Sequence, residues 1–169
     1  MARVSTKQNK NIYHTTREAL GLTRESASEL LEHMTSERIE KIENERTTPR
    51  PDEVLLMAEG YKAPTLCNHY CSNQCPIGKQ YVPQIKPKAL SQIVLEMLAS
   101  LNAMNKQRER LIEITADGEI EGEELKDFVA IQKELERISV TVEALQLWVE
   151  QMLATGRIDA DKYKTAKSK

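Results

Sequence analysis

The residues best equipped for chemistry are Cys67, Cys71 and Cys75, in the phrase Leu66-Cys67-Asn68-His69-Tyr70-Cys71-Ser72-Asn73-Gln74-Cys75-Pro76-Ile77-Gly78. The spacing C-x-x-x-C-x-x-x-C, with His69 inside it, offers soft sulfur and imidazole ligands suited to zinc or an iron–sulfur cluster. On one straight helix the outer cysteines would stand ~12 Å apart at ~1.5 Å per residue, too far for one metal. The segment would have to bend near Ser72-Asn73, and the C-x-x-C spacing of zinc knuckles is missing. The competing reading is packing, because cysteines at this spacing drift slowly round one helical face and behave as small apolar groups. Packing is favoured, so no cofactor is expected, with a metal or redox site at Cys67, Cys71, Cys75 and His69 as the open alternative. An odd, clustered set of three cysteines argues against a secreted disulfide framework.

No other constellation suggests catalysis. His14, His33 and His69 are scattered, no serine or cysteine lies in a nucleophile motif, and no Gly-rich phosphate loop is present. The many glutamates fall at helix-surface spacing, where a solvated face explains them. The chain is not expected to be an enzyme.

The elements that must position these groups are helical. A chain of 169 residues holds one ordinary domain, or a small domain with an extension, and 30% charged residues with 4% aromatics favour an all-α fold. No apolar run approaches the ~20 residues of a membrane span and no signal-peptide pattern opens the chain, so a cytoplasmic protein without membrane contact is expected. Net charge is −2, and through Pro64 ten Lys or Arg stand against eleven Asp or Glu. Contact with nucleic acid would therefore depend on local placement of cations.

Met1 to Asn11 has no apolar period and reads as a mobile arm. A first helix runs to Leu20, beginning near Ile12 or, if Thr15-Thr16-Arg17-Glu18 forms a capping box, later; Gly21 stops it. Thr23 caps a second helix that buries Ala27, Leu30 and Leu31. Thr35 or Ser36 caps a third, with Met34 stapled onto Ile39 and with Ile39 and Ile42 inward; Asn44 is its left-handed cap. Pro51 opens a fourth helix that Gly60 ends.

Leu20-Gly21-Leu22-Thr23-Arg24-Glu25, then Ser36-Glu37-Arg38-Ile39-Glu40-Lys41-Ile42-Glu43-Asn44, then Pro51 and Leu55-Leu56-Met57-Ala58, resemble the Cro/phage-repressor-like (XRE) helix-turn-helix family. The resemblance covers about the first third of the chain. It implies a λ-repressor-like head over residues 1–64 whose third helix enters the DNA major groove. Thr35, Ser36, Glu37, Arg38 and Lys41 would then read the groove, and Arg24, Arg46 and Arg50 would meet phosphate. The chain departs from the family by having Glu32-His33 in the turn and Glu45 after the third helix, where glycines are usual. Glu37, Glu40, Glu43 and Glu45 also crowd the recognition region.

Residues 65–87 carry the cysteines and a Pro-rich connector. From Lys88 heptads take over: Leu90, Val94, Met97, Leu101, Met104, Arg108 and Leu111, then Phe128, Ile131, Leu135, Ile138, Val142, Leu145, Val149 and Met152. Joined by a turn at Asp117-Gly118, they predict a long antiparallel helical hairpin over 88–155. A second stripe, Val140, Ala144, Leu147 and Trp148, predicts homodimerisation through a four-helix bundle, or packing onto the head. Residues 156–169 read as a basic tail, with a frayed end from Tyr163 to Lys169. Together these features predict a dimeric, bacterial or phage transcriptional regulator on double-stranded DNA. The alternatives are an interaction module that keeps the head fold without DNA binding, and a metal- or redox-responsive regulator.

Overall fold

The computed structural model describes residues 9–116, 118–120, 122 and 124–168, all helical or loop, with no strand among them. Chain contacts form two compact units: residues up to 84 together with 149 onward, and residues 85–148. The expected arm falls mostly on residues 1–8, and the turn residue Asp117 with it, outside the described residues.

In the first unit α1 (Ile12–Ala19) starts at the earlier of its two expected positions. Asn11 accepts from the His14 backbone N–H at 3.0 Å, so the cap lies before Thr15. Gly21 then turns left-handed at φ 69°. α2 (Arg24–Leu31) is capped by Thr23, whose hydroxyl accepts from the Ser26 N–H at 3.1 Å while Ser26 Oγ accepts from the Thr23 N–H at 2.9 Å. Ala27 and Leu31 are buried, but Leu30 is 48% exposed, not part of the inner face as its spacing suggested. Glu32 supplies the positive φ (51°) in the turn where the related pattern has glycine.

α3 (Ser36–Glu43) is capped by Thr35, and Met34 and Ile39 are both buried in one core, as a staple requires. Its end differs from expectation. Asn44 stays at φ −91° and Glu45 takes the left-handed position at 58°, closing a double turn in which the Arg46 N–H bonds the Lys41 carbonyl and the Glu45 N–H the Ile42 carbonyl. α4 (Pro51–Gly60) begins on Pro51 but runs through Gly60, and Lys62 (φ 52°) makes the turn instead. A side chain at Gly60 would come within 2.5 Å of Leu31 Cδ2, so glycine serves close packing there.

The cysteine segment folds onto this head as α5 (Thr65–Asn73) and α6 (Gly78–Tyr81), with Leu66 fully buried beside Tyr13, Ile42, Met57 and Tyr61. A Cβ on Gly78 would lie 2.1 Å from the Cys71 carbonyl oxygen, so only glycine lets α6 return this closely. Two long helices follow, α7 (Leu90–Ile114) and α8 (Glu124–Ala154). The expected frayed end is instead α9 (Ala160–Lys167), capped by Asp159.

In the second unit α7 and the α8 residues up to 148 lie side by side and antiparallel. Ile93 packs in one cluster with Ala144, and Arg110 Nε donates to Asp127 at 2.8 Å. The inner line on α7 is buried at Ile93, Ser100 and Ile114 and half-buried at Met97, Met104, Gln107 and Leu111; on α8 it is buried at Ile131, Thr141 and Ala144 and half-buried at Phe128, Glu134, Ile138, Leu145 and Trp148. Met97, Met104 and Leu111 on α7 and Phe128, Ile131, Ile138 and Leu145 on α8 keep the predicted seam, while Leu90, Val94, Leu101 and Arg108 with Leu135 and Val142 are exposed.

The seam is rotated because the connector occupies one flank. Ile85 is buried in one cluster with Ile93 and Ala144, against which Val140, Leu145, Leu147 and Trp148 pack. Of the four residues expected to dimerise the chain, Ala144 is buried within this unit, and Val140, Leu147 and Trp148 are half-buried there. Ser100 and Thr141 take the inner positions because they are small, and the Thr141 hydroxyl donates to its own helix at the Ile138 carbonyl.

Candidate nucleic-acid interface

Ile39, Ile42 and Glu43 recur at helical spacing, and burying that face of α3 turns the opposite face outward. Thr35 and Glu37 are exposed, and Ser36, Glu40 and Lys41 half-exposed. Lys41 Nζ stands 2.7 Å from Glu37 Oε1, one turn away, and its hydrogen bond holds the Glu37 carboxyl below the ordinary glutamate range. The outer face of α3 therefore offers a serine hydroxyl, two carboxylates and one ammonium.

The arginines divide into two groups. Arg46 and Arg50 are exposed at either end of the loop after α3. Arg46 has no ion pair among the described residues, and Arg50 reaches Asp52 at 3.3 Å while 68% exposed. Arg38, expected in the groove, folds back: its Nε and Nη2 donate to Glu53 at 2.7 Å each, its Nη1 to Thr47 Oγ1 at 2.7 Å, and Nη2 also to the Thr48 carbonyl. That bidentate bracket ties α3 to α4 and the intervening loop. Arg24, expected at phosphate, has its Nε on Glu43 Oε2 at 2.8 Å.

Glu43 is the centre of a buried charge cluster that went unnoticed in the sequence. Its side chain is fully buried and accepts from Arg17 at 2.5 and 2.9 Å as well as from Arg24. Arg17 Nη1 also donates to the Leu22 carbonyl, and His14 Nδ1 lies 3.9 Å from Glu43. Burial alone would raise the Glu43 carboxyl, but hydrogen bonds from Arg17 and Arg24 outweigh it and hold it below its ordinary value. Glu53 is held down chiefly by Arg38. One signal could have found Glu43: it lies four residues after Ile39, on the apolar side of α3. Glu53 had another, as the third residue of a helix that opens on proline, where its carboxylate accepts from the Arg50 N–H at 2.7 Å.

The cysteines are separated by element. Cys67 and Cys71 stand one turn apart on α5, and Cys75 lies beyond its end, accepting from the Gly78 N–H at 3.4 Å. All three thiols are free and half-buried, and burial pushes the Cys67 thiol up. His69 stands edge-on to Tyr13 with ring centroids 6.1 Å apart. Among the described residues no three His, Cys, Asp or Glu side chains are grouped to hold a metal ion. Nor is any described helix long and apolar enough to cross a membrane.

No family model matches this chain, and no curated protein or solved structure matches it.

Proposed function

We propose that this protein is a sequence-specific, double-stranded-DNA-binding transcriptional regulator of the Cro/phage-repressor-like kind, cytoplasmic and dimeric. In this reading α1–α4 form a λ-repressor-like helix-turn-helix head, and α7 and α8 form its dimerising hairpin. The observation that carries it is the α2–α3 pair: a reciprocally capped α2, a tight turn through Glu32, and a Thr35-capped α3 whose inner face is buried and whose outer face is open. Ser36, Glu37 and Lys41 read base edges, a glutamate being able to accept from cytosine N4. Arg46 and Arg50 meet phosphates on either side. Arg38 and Arg24 act one step back, holding α3 against α4 and α2.

With few uncommitted cations per copy, one head binds weakly, so the regulator works as a dimer whose heads lie about one DNA turn, ~34 Å, apart. Selection from a randomised duplex library at two salt concentrations tests this. Enrichment of a two-fold-symmetric sequence that weakens with salt is expected; a folded protein that enriches nothing contradicts it.

A second reading is favoured by the charge pairing itself. Glu37 neutralises Lys41, while Glu43 and Glu53 engage Arg24 and Arg38. A head so balanced also suits an interaction module that has left DNA behind, and the same selection separates the two.

A further inference from the structure

The two flanks of the α7–α8 pair are unlike. One holds the connector, with Ile85 buried against Val140 and Ala144 and Lys88 Nζ bonded to Glu96 at 2.6 Å. A cavity lined by Glu96, Ser100, Arg137 and Thr141 lies on that same side, which fixes how the two helices face each other. In an antiparallel pair with this seam, the positions just past it on the other side of both helices share the opposite flank. There Val94 is 41% exposed, Leu98 52%, Leu101 43%, Leu135 47% and Val142 40%.

We propose that this bare flank is where a second copy of the chain docks, closing a four-helix bundle. The inference deepens the dimeric part of the proposed function and stands apart from its DNA-binding part.

Four observations favour a second copy over another occupant. First, the flank repeats at seven residues in both helices, Val94 and Leu101 on α7 and Leu135 and Val142 on α8. On each helix this flank adjoins the apolar inner positions, Met97 and Met104 on α7 and Ile131 and Ile138 on α8, so the apolar face continues round onto it. Second, charge is depleted: alternate steps of three and four from Ser91 to Ile112 and from Leu125 to Gln146, leaving out the inner Phe128, give thirteen flank positions, of which Arg108 alone is ionic. A chain that is 30% charged would place about four there. Such a surface gives neither DNA nor a charged peptide anything to pair with. Third, from Val94 to Ile112 the flank is ~27 Å long and, at ~10 Å per helix, ~20 Å wide. That is on the order of 500 Å² per copy before side-chain relief, about two-thirds of a standard interface and, over both copies, the ~1,000 Å² that a specific interface needs. Fourth, a matching pair of heptad helices is what the occupant must present, and every copy carries one, so a two-fold arrangement is self-complementary.

Sedimentation of the full chain at micromolar concentration tests the surface, using Leu101→Glu with Val142→Glu and, as control, Leu95→Glu, which lies farther round α7 and is 68% exposed. The unaltered chain and the control should sediment at twice the chain mass, and the double variant at the chain mass with its helical signal unchanged. A monomeric parent chain, which would leave the flank to a different protein, overturns the proposal, and so does a double variant that stays dimeric. Should the double variant lose helix, Leu98→Lys alone should weaken the dimer at least ~10-fold, and no weakening overturns the proposal. A dimer that enriches no duplex leaves this surface standing and removes the DNA reading; a monomer that enriches one does the reverse.

Discussion

The head and the α7–α8 pair solve opposite problems. The head has drawn charge inward: Glu43 and Glu53 are buried, and each is met by arginine from a neighbouring helix. The pair has left apolar surface outward, with Leu98, Leu101 and Leu135 on one flank and its own inner line interrupted by Ser100, Gln107 and Thr141. Buried ion pairs add little net stability compared with apolar packing, but they fix how helices meet, because any other arrangement strands a charge. Exposed leucines at heptad spacing leave a surface to be covered by something else. We infer that the head is complete within one chain and the pair is not.

The comparison can be broken at its strongest point by Glu43→Ala, which strands Arg17 in the head core. A loss of about 3–5 kcal/mol is expected from urea unfolding; a loss below about 1 kcal/mol would mean that the cluster does not lock α1, α2 and α3 together. Next in size is Arg38→Ala. It leaves Glu53 without its bidentate partner while the Arg50 N–H still donates to it, and about 1.5–3 kcal/mol should go.

Acid sharpens the contrast. Glu43 and Glu53 are both held below their ordinary values, so their stabilisation is complete above the ordinary glutamate range. It is lost as pH falls through the lower folded values. The urea midpoint should drop steadily below about pH 4.5, and Glu43→Gln should flatten that drop. The pair's exposed ion pairs, such as Arg110 with Asp127, contribute little to this slope. The smallest effect belongs to Glu37→Ala on the exposed outer face of α3, where the urea midpoint should not move measurably. The same substitution frees Lys41, so any change in duplex binding would come from the surface alone.

Much of the head was legible because local signals decide it. Thr23 and Thr35 cap as read, Pro51 opens α4, and the Met34–Ile39 staple is buried. Legibility failed where partners distant in sequence decide. Arg38 reads as an outward cation until Glu53, fifteen residues on, claims it. Leu30 has the right spacing for burial, but Gly60 beside it covers it only in part. Glu45 and Lys62 take left-handed turns with no glycine to announce them. The seam of the long helices was misread by one residue because Ile85, more than fifty positions before Val140, decides which stripe faces in. Apolar periodicity favoured Val94, Leu101, Leu135 and Val142, whereas close packing chose Ser100 and Thr141.

The most direct test of the central claim is an NMR titration of the full chain with a selected or, failing that, randomised duplex in low salt, read at backbone amides. The account predicts shifts concentrated at Ser36, Glu37 and Lys41 on α3 and at Arg46 and Arg50 beside it, with α7 and α8 unaffected. Shifts confined to the lysines of α9, or no shifts at all, would contradict it.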